Sequence, residues 1–435
     1  MLGELLKASQ LCDFDHLPAL IARHAAAEGL LDARVYLADR QQQVLRMLGE
    51  GPDWSPEKGQ LDIDGTLAGL AFREVEIVGP YRTAEEAAAG EPYRFWVPVL
   101  DGTERIGVLE ARSPRDDRRV RELLSGLAAL VGMLIVSKRM HSDTYARVTR
   151  TRAMTLAAEV QWHLLPPLAF ANDRVTIGAA IEPAYEVGGD AFSYAVSGRT
   201  LFLSIFDAMG HDTSAGLTAS IAIASWRGHR RAGMGLADIS MAIQEDVIEQ
   251  FDGERYVTGV LSRIDLDTGE LTWVNRGHPP PLLVRGGRWV DVLDSEPTLP
   301  MGLRLPERPR EHRRRLEPGD RLLYYTDGIT EARDPKTGEP FGMERFVRFI
   351  VRHAAGGLAA QETLRRLMQD ILRHQSGRLQ DDAAVLIAEW KGDSSQMTFD
   401  SGYGPADDVA AGGLGVGPGG RGRRGSGIRP PGTRR

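Results

Sequence analysis

Four acidic positions in the second half of the chain each stand at the end of an apolar run. Asp190 follows Val187-Gly188-Gly189, downstream of the strand-like run Val175 to Ile181. Asp207 closes Leu201 to Phe206 and opens Ala208-Met209-Gly210-His211. Asp327 closes Arg321 to Thr326 and precedes Gly328, while Asp381-Asp382 precedes the run Ala383 to Ala388. A carboxylate placed where a buried strand meets a Gly-containing turn projects beyond the sheet edge. Several such carboxylates brought together repel one another unless a cation neutralises them. Oxygen donors without a Cys cluster or paired His select hard ions, Mg²⁺ or Mn²⁺, over zinc. Each Asp taken singly also suits a helix cap or a turn. The four in this order point to a metal centre, with Asp381 and its neighbour Asp382 inseparable as ligands.

The elements that must position these acids fall into regimes. Residues 168–390 alternate strand-like and helical runs and form the domain that carries the acids. Residues 1–137 begin with a helical pattern (Leu2, Leu5, Leu6, then Leu17, Leu20, Ile21) and pass into short strand-like runs at 33–38, 43–48, 94–100 and 105–112. Asp101-Gly102 between the last two is a hairpin signal. A closing helix from about Asp116 completes a small sheet covered by helices. Residues 138–167 lack Gly and carry Pro only at 166 and 167, where a helix must stop. The spacing of Met140, Thr144, Val148, Met154, Leu156 and Val160 predicts one continuous signalling or dimerisation helix, about 40 Å long at 1.5 Å per residue. Residues 391–435, rich in Gly, Pro and Arg, cannot bury enough apolar surface to offset chain entropy and are expected to be a disordered tail.

With their surroundings, the acids resemble an ordered motif set. Val187-Gly-Gly-Asp190, Asp207-Ala-Met-Gly-His211, Asn275-Arg-Gly-His-Pro-Pro-Pro281, Tyr325-Thr-Asp-Gly-Ile-Thr-Glu331 and Gln380-Asp-Asp-Ala-Ala-Val385 look like the motifs of SpoIIE/RsbU-type serine phosphatases of the metal-dependent protein phosphatase (PPM) family. The resemblance spans about Asp173 to Trp390. Leu156 to Pro166 is similar to the helix that precedes such domains and transmits control. The order of elements in 1–137 resembles a GAF-type sensory domain, which implies a small-molecule or partner pocket in front of its sheet. The fold implied is α+β, an α-β-β-α sandwich preceded by a GAF-like α/β domain and a linker helix.

The resemblance implies two Mn²⁺ or Mg²⁺ ions. Asp207 would bridge them, the Ala208 backbone carbonyl would add a ligand, and Asp190, Asp327 and Asp381 would complete the set. A water activated by the metals would attack a phosphoserine or phosphothreonine phosphorus. Gly210, His211, Asp382 and Arg227 are candidates for supporting or substrate-facing roles, and His278 is read as shaping a turn. The chain departs from the family at Ser193, where an acid is usual, and at Asp212, where Gly is usual. Both bear on metal affinity or substrate access, and they are the support for an alternative, a pseudophosphatase acting as a signal-sensing scaffold. Gly188-Gly-Asp-Ala-Phe192 superficially resembles a diguanylate cyclase signature, but Ala191 stands where that signature needs an acid.

Composition narrows the classes further. The 435 residues carry 53 Lys and Arg against 60 Asp and Glu, a formal charge of −7, which argues against a general nucleic-acid binder. The single cysteine, Cys12, excludes an intrachain disulfide and a cysteine-rich zinc site, and fits a reducing cytoplasm. Residues 1–14 carry Glu4 and Asp13 and no basic segment of a signal peptide. The apolar run Leu123 to Ser137 falls short of roughly 20 residues, so no membrane span is expected. The partners implied are a phosphorylated STAS-domain anti-sigma-factor antagonist, a second copy of the chain as homodimer, and a ligand or partner at the N-terminal domain.

Overall fold

The computed structural model describes residues 2–49, 54–183, 185–186, 188–210, 212–296, 298–305, 308–355, 358–377 and 379–392. Val187 and His211 fall outside these residues, as does the expected tail from 393 onward.

The first sheet is built from β1 (Leu31–Ala38), β2 (Val44–Leu48), β3 (Leu61–Asp62), β4 (Val78–Tyr81), β5 (Tyr93–Asp101) and β6 (Glu104–Ser113), in the spatial order β3-β2-β1-β6-β5-β4. Its strand pairs are antiparallel. The Asp101-Gly102 hairpin is present, with Gly102 at φ +58° in the left-handed region its turn requires. Helices α1 (Leu2–Ser9), α2 (Leu17–Ala26) and α5 (Arg118–Lys138) cover one face, where Leu17, Ile21, Val97, Leu109, Leu124 and Val131 interlock. Between them in sequence lie α3 (Leu67–Glu74) and the short α4 (Ala84–Ala88). Helix α3 covers the opposite face, in front of the sheet, and fills it with Phe72 packed among Tyr36, Leu45 and Trp96. A cavity of about 380 Å³ opens between the first sheet and the residues that follow α5, lined by Arg40, Glu104, Arg139, Arg150 and Trp162. Helix α5 with the turn that follows it, residues 118–141, is long and apolar enough by length and composition to cross a membrane. Half of its apolar window is buried inside the fold.

The connector is not one continuous helix. Helix α5 gives way to a 3-10 turn at Arg139–His141, α6 (Asp143–Thr149) and α7 (Leu156–Leu164) follow, and Arg150 between them is extended. The break has a local cause. Ser142 accepts the Thr144 N–H and Thr155 accepts the Ala158 N–H, so each hydroxyl starts a new helix. It also has a tertiary cause, because the buried Arg46 of β2 donates to the carbonyls of Arg147, Val148 and Arg150, which ends α6 on the first sheet.

The remaining elements form an α-β-β-α sandwich. One sheet is ordered β15-β12-β11-β10-β9, from β9 (Asp190–Ser197), β10 (Thr200–Ala208), β11 (Val257–Asp265), β12 (Glu270–Arg276) and β15 (His312–Arg315). The other is ordered β14-β13-β16-β17-β8-β7, from β7 (Ala169–Ala171), β8 (Val175–Glu182), β13 (Leu282–Arg285), β14 (Trp289–Val292), β16 (Asp320–Tyr325) and β17 (Ala383–Trp390). Strand β17 shows why its run is apolar throughout: Ala384, Leu386 and Ala388 face the core between the sheets, whereas Ala383, Val385 and Ile387 face the outer helices. Helices α8 (Thr213–Arg231) and α9 (Leu236–Phe251) cover the sheet that contains β9 to β12. A short α10 (Asp327–Thr330) follows β16, and α11 (Met343–Ala355) and α12 (Ala360–His374) cover the sheet that contains β16 and β17.

Candidate metal centre

The expected acids gather at one end of the two sheets. Asp190 begins β9 and Asp207 lies near the end of β10, and their Cα atoms are direct cross-strand partners. Two like charges directly opposite on adjacent strands oppose strand pairing unless something neutralises them. Asp327 opens α10 at the end of β16, and Asp381-Asp382 leads into β17.

The loops meet through close backbone contacts. The Gly189 N–H donates to the Asp382 carboxylate, and the Ala208 N–H donates to the Gly189 carbonyl at 3.0 Å. A Cβ on Gly189 would lie 2.4 Å from the Ala208 carbonyl oxygen and 2.8 Å from that of Gly210. A Cβ on Gly328 would meet the Asp382 carbonyl oxygen at 1.6 Å. The motif glycines are therefore points of close backbone approach: Gly189 to the loop after β10 of its own sheet, and Gly328 to the residue that leads into the neighbouring β17, while the Gly189 amide reaches Asp382 of the other sheet. Thr326 joins the sheets directly: its hydroxyl donates to Asp190 Oδ2 at 2.6 Å and accepts the Ala384 N–H at 2.8 Å.

The electrostatics are those of crowded acids. Burial, then the charges of Asp207 and Asp382, push the Asp190 carboxyl far above the usual range, against the Thr326 hydrogen bond. Burial, then Asp327, Asp381 and Asp382, push Asp207 up to about 7. Burial and Asp381 raise Asp327 as well. Asp382 is buried and bonded to the Gly189 amide, whereas Asp381 is exposed and its Oδ1 accepts the Asp382 N–H at 2.9 Å. Among the described residues, no three Asp, Glu, His or Cys side chains already close on a single point. Oxygen-only donors, mutual repulsion and burial nonetheless fit hard divalent cations. A second cavity of about 220 Å³ borders the acidic loop and is lined by Gln41, Arg152, Glu182, Glu186, Asp381 and Asp382.

Other expected residues are placed elsewhere. Arg227 points away from the acids, since its Nε donates to Ser193 Oγ at 3.2 Å and its Nη2 to the Leu164 carbonyl at the end of α7 at 2.6 Å. These two hydrogen bonds hold its guanidinium between β9 and the end of α7. Strand alternation puts Ser193, three residues after Asp190, on the opposite face, so the family departure there lies off the acidic cluster. Asp212 caps α8 by accepting the Ala215 N–H at 2.9 Å. His278 is buried, with the Thr258 hydroxyl 2.8 Å from Nδ1 and the Tyr325 carbonyl 3.0 Å from Nε2. Burial lowers its pKa to about 4, so it is neutral at ordinary pH and links β11 to β16.

Arg255 and Thr326 do work that the motif reading missed. Arg255 lies over the loop after Asp207, donating to the Met209 carbonyl at 3.1 Å and to Asp212 Oδ2 at 3.2 Å. Nothing local marks it, whereas Thr326 sits inside a quoted motif.

Residues 197–391 match the family model for Stage II sporulation protein E (SpoIIE); Asp190 precedes the matched span. The chain is similar to phosphoserine phosphatase RsbU of Bacillus subtilis, 23% identical over 240 residues that cover 54% of this chain and 69% of RsbU. It is 24% identical to phosphoserine phosphatase RsbP of the same organism, over 42% of this chain and 47% of RsbP. Among solved structures, the RsbU and RsbW domains of Rv1364c from Mycobacterium tuberculosis align with a TM-score of 0.43 and 25% identity, covering 50% of this chain and 60% of that one. The chain thus spans about two thirds of RsbU and less than half of RsbP. The second half of the chain carries a phosphatase domain of the SpoIIE type.

Proposed function

We propose that this chain is a metal-dependent protein phosphatase that hydrolyses phosphoserine or phosphothreonine at the acidic end of the sandwich. The observation that carries the reading is the convergence of Asp190, Asp207, Asp327, Asp381 and Asp382, raised by burial and mutual charge, in a SpoIIE-type domain. Bound Mn²⁺ or Mg²⁺, two ions by resemblance, would supply a water of lowered pKa and neutralise charge developing on the phosphoryl oxygens. Asp190, Asp207 and Asp327, the Ala208 carbonyl, and either Asp381 or Asp382 would hold the ions. The chain's own residues orient that set. Thr326 fixes the direction of the Asp190 carboxylate, and the Gly189 amide fixes Asp382. Arg255, held by Asp212 and Met209 O, presents a guanidinium to an incoming phosphate at the rim.

The substrate class that fits this relationship is a phosphorylated STAS-type anti-sigma-factor antagonist in a partner-switching system of the bacterial cytoplasm. The N-terminal domain is read as a GAF-like regulatory domain that receives a ligand or partner, and the chain as a homodimer. Of the two departures behind the pseudophosphatase alternative, Ser193 lies off the acidic cluster, and Asp212 caps α8 and holds Arg255.

The test is hydrolysis of a phosphorylated antagonist with Mn²⁺, with EDTA, and with Asp207→Asn. Activity with Mn²⁺ that EDTA and the substitution each abolish is expected. Full activity of Asp207→Asn would overturn the mechanism, and an inactive Mn²⁺-loaded wild type would favour the pseudophosphatase.

A further inference from the structure

Strand β9 is the edge strand of its sheet, so the carbonyls on its free side have no neighbouring strand to bond. At its first residue that side is covered by a side chain from outside the sandwich. Gln161 of α7, only 5% exposed, donates its amide N–H groups to the carbonyl of Asp190 and, at 3.4 Å, to that of Gly188. The peptide groups of 188–190 are thereby held from three directions. Asp382 takes the Gly189 N–H, the Ala208 N–H binds the Gly189 carbonyl, and Gln161 binds the two flanking carbonyls.

The same connector grips the other end of this loop. The Thr151 N–H and hydroxyl both donate to the Tyr185 hydroxyl, at 3.1 and 3.0 Å, and the Thr155 N–H donates to the Tyr185 carbonyl at 3.0 Å. Tyr185 is 2% exposed. The loop that delivers Asp190 therefore rests on α7 and the residues just before it.

We propose that Gln161 is a positioning residue for the acidic centre: its amide fixes the Gly188–Asp190 backbone and so the direction in which Asp190 presents its carboxylate to a divalent cation. The proposal rests on the metal-phosphatase reading. Residues that orient ligands from behind typically change metal affinity by 10–100-fold when replaced. A glutamine that only filled space would tolerate any side chain of its own length.

The experiment uses the full chain, stripped of metal, with Mn²⁺ alone as the probe. Mn²⁺ binding is measured by titration calorimetry for wild type, Gln161→Met and Gln161→Glu, and thermal unfolding is followed without metal. Gln161→Met keeps the length and loses the donors; Gln161→Glu sets oxygens against the two carbonyls. The expected result is Mn²⁺ binding about 10-fold weaker in Gln161→Met and weaker still in Gln161→Glu. Unfolding midpoints should stay within a few degrees, and high Mn²⁺ should restore kcat with KM for phosphoprotein unchanged. Wild-type Mn²⁺ affinity in both folded variants would overturn the proposal. Affinity lost only in step with folded protein would overturn it as well, leaving Gln161 a scaffold residue. A wild type that takes up no Mn²⁺ would overturn this proposal together with the reading beneath it, whereas Mn²⁺ binding abolished by Asp190→Asn but untouched at Gln161 would overturn the proposal alone.

Discussion

Replacing Glu362 by Gln tests whether the first sheet is locked to α12 by buried charge. The Glu362 carboxylate, 1% exposed on α12, accepts Arg105 Nη1 at 2.8 Å, Arg365 Nε and Nη2 at 2.9 Å each, and Arg366 Nε at 2.8 Å. Arg105 belongs to the first sheet and is 2% exposed; Arg365 is 3% exposed and also reaches Asp64, just before α3, at 2.9 Å. Glu362→Gln keeps the shape and removes the charge, leaving two buried guanidiniums facing an amide. Breaking a buried pair from one side costs about 3–5 kcal/mol. Burial alone would raise the Glu362 carboxyl, but the Arg365 hydrogen bonds and the Arg105 charge outweigh it and hold it at about 2, against an ordinary 4.5. At about 1.4 kcal/mol per unit that is about 3 kcal/mol. The sign follows from a depressed folded value: the contribution is complete above about pH 4.5 and is lost as pH falls toward 2.

Denaturant unfolding followed by tryptophan fluorescence and circular dichroism measures it. The expected result is a loss of about 3 kcal/mol at pH 7 that narrows between pH 4.5 and 2. A companion variant, Arg105→Met with Glu362→Leu and Arg365→Met, should recover much of the loss, since apolar replacements of buried ion sets are often neutral. Glu362→Gln unfolding within about 0.5 kcal/mol of wild type, the range of an ordinary surface change, would refute the reasoning.

In Arg255→Ala, KM for the phosphoprotein should rise about 10-fold or more, as loss of a hydrogen bond to a charged group costs about 1.5–3 kcal/mol, with Mn²⁺ affinity unchanged; an unchanged KM would remove Arg255 from the substrate rim. Because Asp207 is raised to about 7 by burial and its neighbouring acids, metal-free protein holds protons there up to neutrality. Mn²⁺ uptake should therefore release protons at pH 6 and far fewer at pH 8.5, read from calorimetry in buffers of different ionisation enthalpy; no buffer dependence at pH 6 would contradict it. His278, lowered to about 4 by burial, contributes stability that is complete above about 6.5 and lost as pH falls through 4. Its ring should show no protonation by NMR between pH 8 and 5.5, and a midpoint near 6.5 would show that it is not held neutral between Thr258 and Tyr325.

Much of the fold was legible in sequence where its signals are local. Continuous apolar runs such as 383–388 mark strands buried on both faces, an acid at the end of such a run marks a sheet edge, and Asp101-Gly102 marks a hairpin. The acids of the candidate centre were named for the same reason. Other features depend on residues far apart in the chain. The connector read as one helix because Ser142 and Thr155 are compatible with helical spacing; their capping roles follow from where Arg46 draws the chain onto the first sheet. Sequence spacing could not show what Arg227 meets, because only the fold places Ser193 and the Leu164 carbonyl beside it. Arg255, Thr326 and Gln161 acquire their roles from hydrogen bonds that span 46, 136 and 29 residues. By itself the sequence determined which residues carry charge and which runs are buried, since each follows from side-chain type and period. Only the tertiary structure decided which carboxylates crowd together and which neutral groups aim them, because distance in space is set by how the two sheets and the connector pack.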